Sequence, residues 1–155
     1  MAERMNITVS PETAKEVDAR AGEEGTRSGV VDRDLARLYA LYRRELARTP
    51  LSVDEACLLV DVLNGIWMRE PLSVWNLWTE VADACTLEHL DQKWGVDGPA
   101  FVQRLQELRD SQLLALVDAA ERFWAGPYSK GDVRETVKQV FHIGEGGEQE
   151  TSEAA

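Results

Sequence analysis

Hydrophobic positions recur at helical spacing through most of the chain. Between residues 4 and 9 the pattern is different: Met5, Ile7 and Val9 alternate with Arg4, Asn6 and Thr8, the period of a half-buried strand. Ser10-Pro11-Glu12 then predicts a capped helix start, with small core residues Ala14, Val17 and Ala21 and a stop at Gly25 after about Glu24. A second helix is expected from Thr26-Arg27-Ser28 to about Ala47, with Val30, Val31, Leu35, Leu38, Tyr39, Tyr42 and Leu46 on one stripe, before Thr49-Pro50 breaks it.

From residue 51 to 143 only helical patterns occur. Ser52-Val53-Asp54-Glu55 reads as a capping box opening a helix through Trp67. The stripe Val74, Leu77, Trp78, Val81 and Cys85 predicts the next, and Thr86 is expected to cap a short helix ending at Gly95. Further helices are expected from Pro99, from Asp110 and from Ser129 or Asp132. The last twelve residues are rich in Gly and Glu, without large apolar side chains, which predicts a disordered acidic tail. The expected fold is therefore mainly α, with domains at 1–48 and 51–143 and a tail at 144–155.

At 155 residues the chain suits one ordinary domain or two small ones. Its net charge of −11 is unevenly spread. Residues 1–50 carry nine acids and nine bases, 51–143 fifteen and eight, and 144–155 four and none, so any polyanion contact belongs in the first fifty residues. No apolar run reaches membrane-spanning length, and the N-terminus lacks a signal-peptide pattern; a soluble cytoplasmic protein is expected. Cys57 and Cys85 lie among apolar helical neighbours, as reduced buried thiols do.

The segment MNITVSPETAKEVDARAGEEGTRSGVVDRDLARLY resembles the ribbon-helix-helix DNA-binding domain of the MetJ, Arc and CopG superfamily. It shares the alternating I-T-V, the Ser/Pro-capped helix, the Gly turn and the T-R-S opening before V-V-x-x-x-L. The resemblance covers under a third of the chain. It implies one strand per chain, paired in a homodimer, with Arg4, Asn6 and Thr8 facing base edges in the major groove and Thr26, Arg27 and Ser28 clamping a phosphate. Side-chain chemistry agrees, because Arg pairs with guanine, Asn with adenine, and Thr meets a thymine methyl or a phosphate. The expected dimer core is Met5, Ile7, Val9, Val17, Val31 and Leu35. Gly29, the Ala-rich first helix and the neutral charge depart from the family pattern and point to weak binding unless several dimers sit side by side.

Other constellations favour plain structural roles. Residues 87–105 have helix-turn-helix order, but the second helix sets Arg104 and Arg109 against Glu107 and Asp110. Cys57, Cys85, His89 and His142 lack metal-ligand spacing. Glu88 with Asp91, and Asp118 with Glu121, put carboxylates on common helical faces without any further catalytic motif. Trp75 and Trp78, with the turn from Trp67 to Leu72, offer a partner groove or effector pocket, although core packing is the default for tryptophan.

The expected function is thus a non-enzymatic, cofactor-free, sequence-specific DNA-binding regulator: a repressor acting as a homodimer or higher oligomer on repeated half-sites in double-stranded DNA. The helical C-terminal domain would bind an effector, a protein partner or another dimer. The alternatives are a plasmid-partition or relaxosome accessory protein, an antitoxin, and a protein-interaction module.

Overall fold

A computed structural model describes residues 3–22, 25–64, 77–125 and 131–144. Among them are eight helices: α1 (Pro11–Ala21), α2 (Arg27–Ala47), α3 (Val53–Val62), α4 (Leu77–Leu87), α5 (Leu90–Trp94), α6 (Gly98–Glu107), α7 (Asp110–Ala125) and α8 (Val133–Val140). The mainly α fold is as the periodicity predicts. No helix among the described residues is long and apolar enough to cross a membrane.

The described residues contain no strand, which overturns the ribbon-helix-helix reading. Alternation gives a segment two faces but not the neighbouring backbone that a ladder requires, and residues 4–9 have no backbone partner among the described residues. The N-terminal ribbon is therefore absent. Met5, Ile7 and Val9 are instead exposed, at 79%, 59% and 45%.

The chain divides into two compact units, Met1–Ala40 and Leu41–Ala155, with the division inside α2. In the first unit, Ser10 caps α1 through a bond from the Thr13 N–H at 3.2 Å, and Pro11 fits the first turn because it has no N–H to leave unpaired. The helix ends earlier than Glu24: Gly22 adopts a positive φ of 61° with ψ −156°, a conformation open to glycine, and its N–H donates to the Asp18 carbonyl. No residue of α1 is buried, and Val30 is the one buried hydrophobic among the described residues of this unit. Two ion pairs tie α1 to α2: Arg27 grips Asp18 bidentately at 2.6 and 2.7 Å, and Arg20 pairs with Asp34.

The second unit has a continuous core centred on α3, which packs against α4, α5, α7 and α8. Ser52 and Glu55 form the expected capping box, both bonds at 3.1 Å. Leu58, Leu59, Leu77, Phe101, Leu105 and Leu116 are the largest apolar side chains sealed in the interior. Helix α4 runs through Thr86 to Leu87 rather than stopping before it, because α5 starts from His89 in the left-handed region and needs no hydroxyl cap. Gly98 opens α6 at a close approach, where a Cβ would lie 2.9 Å from an Asp91 carboxylate oxygen and 3.2 Å from Cys85 Sγ, so a larger residue would require these side chains to shift. The expected positions of Trp67, Trp75 and Ser129, and the tail beyond Gly144, lie outside the described residues.

Candidate functional site

The residues expected to read DNA are exposed. Arg4, Asn6 and Thr8 stand in the segment before α1, and Ser28 lies in the first turn of α2. Thr26 accepts the Gly29 N–H at 3.0 Å, acting as a helix cap. Arg27 is committed elsewhere, since its two hydrogen bonds to Asp18 lower the Asp18 carboxyl and raise the guanidinium above their ordinary values. A phosphate would have to compete with that carboxylate. Of the residues expected in a dimer core, Val17 and Val31 are half-buried and Leu35 is 41% exposed; Tyr39 is also exposed.

Buried polar groups in the second unit form a network that periodicity does not reveal. Glu45 is 3% exposed and receives Arg109 Nη2 at 2.7 Å. That hydrogen bond, against the desolvation of the site, holds the Glu45 carboxyl below its ordinary value. Thr49 donates to the Glu45 carbonyl at 2.7 Å, while Gln112 donates to Thr49 and accepts the Arg109 N–H, both at 3.1 Å. The network fastens the end of α2 to the start of α7 through one charge-assisted bond, Arg109 to Glu45, and three neutral ones. A second cluster surrounds Trp94: its indole N–H donates to Asp61 at 3.0 Å, Lys93 Nζ reaches the same carboxylate at 2.7 Å, and the Lys93 and Arg134 cations lie 5.2 and 5.7 Å from its ring centre.

Cys57 and Cys85 are free and buried, and burial pushes both thiols up, away from nucleophilic reactivity. Among the described residues no group of three or more His, Cys, Asp or Glu is placed to hold a metal ion. Asp118 pairs with Arg122 at 2.8 Å, and partial desolvation together with Asp118 raises Glu121.

A cavity of about 550 Å³ opens between the end of α2, α7 and α8. Leu46, Ala115, Ala119 and Val140 contribute apolar surface; Tyr42, Arg43, Asp118, Arg122, Gln139 and His142 bring polar groups. The sequence signal for it is the pair of alanines four apart on α7, small residues where Leu or Phe would otherwise fill the space. Trp78, read as a groove candidate, is 37% exposed on α4 and is not part of this cavity. A scan against protein-family models, a search of curated proteins and a search of solved structures each return no match.

Proposed function

We propose that the protein is a non-catalytic DNA-binding regulator that works as a homodimer, with its first unit serving both for self-association and for contact with DNA. One observation carries this reading. The first unit exposes Met5, Ile7, Val9, Leu35 and Tyr39 while its described residues bury a single hydrophobic side chain. So little core does not offset the entropy of ordering two helices, so the unit is completed by something that covers those side chains. Charge favours a second copy. Residues 1–40 carry eight acids and six bases, whereas 41–155 carry twenty and eleven, so two chains approach with least repulsion through their first units.

The DNA part of the proposal draws on the same segment. Arg4, Asn6 and Thr8 are exposed there, and their side chains offer the donors and acceptors that base edges recognise. A dimer presents two such sets, suited to repeated half-sites near a promoter, where occupancy represses transcription. The exposed apolar residues equally favour a second reading, a module that binds another protein, and the two separate experimentally. Purified protein and an Arg4→Ala/Asn6→Ala variant are incubated with fragmented genomic DNA and the retained DNA is sequenced. Short repeated motifs enriched by the native chain alone are expected. No enrichment by either chain overturns the DNA reading in favour of the protein-binding one.

A further inference from the structure

We infer that the cavity between α2, α7 and α8 is a binding site for a small monoanionic ligand, a carboxylate attached to an apolar body. This inference is independent of the proposed function, because all the described residues that line the cavity belong to the second unit. Its volume, about 550 Å³, falls within the range of sites that enclose small organic molecules. The chemistry is divided as such a ligand requires. Ala119 and Val140, both buried, supply an apolar wall, while Arg43, Arg122, Tyr42 and His142 bring polar groups to the same space.

The charge count selects a monoanion. Arg122 is paired with Asp118 at 2.8 Å, so its charge is largely balanced within the site. Arg43 is exposed and has no ion-pair partner among the described residues. Arg43, Arg122 and Asp118 together carry one net positive charge, in a chain whose total is −11. A carboxylate neutralises it, whereas a dianionic phosphate leaves a negative charge beside Asp118.

The backbone at the rim adds a further observation. Helix α8 closes with bonds from the Ile143 N–H to the Lys138 carbonyl at 2.9 Å and from His142 to Gln139 at 3.3 Å, the pattern that places a left-handed residue between them. That residue is His142, at φ 53°, where glycine would sit without strain. The fold thus carries an imidazole at the cavity at a conformational cost that glycine would avoid.

The test uses the full chain, with 1-naphthoate as probe and 1-naphthalenemethanol as its uncharged counterpart, read by calorimetry and ligand-observed NMR. The acid is expected to saturate one site with a Kd on the order of 1 mM or tighter, and to bind about tenfold better than the alcohol. Arg43→Gln should weaken the acid about tenfold and leave the alcohol unchanged. Gln139→Trp, at an exposed position on α8, should block both ligands by filling the opening; circular dichroism verifies that each variant keeps its helices. Equal binding of acid and alcohol, an Arg43→Gln variant with native affinity, or the absence of saturable binding each overturns the inference.

Discussion

Glu45 shows how one charged residue can hold an apolar interface in register. It is buried, and Arg109 supplies the counter-charge that makes burial tolerable. Because its carboxyl titrates below the ordinary value of 4.5 in the folded protein, its contribution is present above that value and is lost as pH falls through the lower, folded one. Acid unfolding should therefore be steeper for the native protein than for Glu45→Gln, which lacks that proton uptake; parallel melting curves from pH 6 to about pH 3 measure it, and identical slopes would remove the assignment. His142 makes the opposite case, a residue whose conformation costs stability. His142→Gly should raise stability by about 1 kcal/mol in urea unfolding, and a loss would show that the imidazole supports the fold instead.

At the scale of elements, burial separates the helices into two groups. Helix α1 buries no residue, whereas α3 buries most of its residues and α7 half. Hydrogen exchange should be fast throughout α1 in dilute protein and slow down at concentrations where the chain self-associates, with α3 and α7 protected in both conditions. Protection of α1 that ignores concentration would mean that the unit is complete within one chain. Helices were legible wherever caps and stripes agreed, as at Ser52-Glu55 and at Asp132. Thr86 misled because a hydroxyl suited to capping is equally compatible with a helix interior, and the left-handed His89 that starts α5 leaves no polar signature. The alternation at residues 4–9 misled for another reason: periodicity describes two faces, and pairing depends on a partner strand that the sequence does not specify. The cavity, built from residues of α2, α7 and α8, has only the spacing of Ala115 and Ala119 to mark it.

For the whole molecule, the uneven spread of charge and core has one consequence. The second unit carries most of the acidic charge and its own interior, while the first carries little net charge and exposes its apolar side chains. Under the proposed function, self-association through the first unit covers Met5, Ile7, Val9, Leu35 and Tyr39 at little cost in charge repulsion. Sedimentation velocity of the full chain over a wide concentration range tests this most directly, with Ile7→Asp as the variant that places a charge in the shared surface. The native chain should sediment at twice its 17.4 kDa mass and Ile7→Asp at the single-chain mass with α3 and α7 still folded. A native chain that remains monomeric at every concentration, or an Ile7→Asp variant that remains dimeric, would contradict the account.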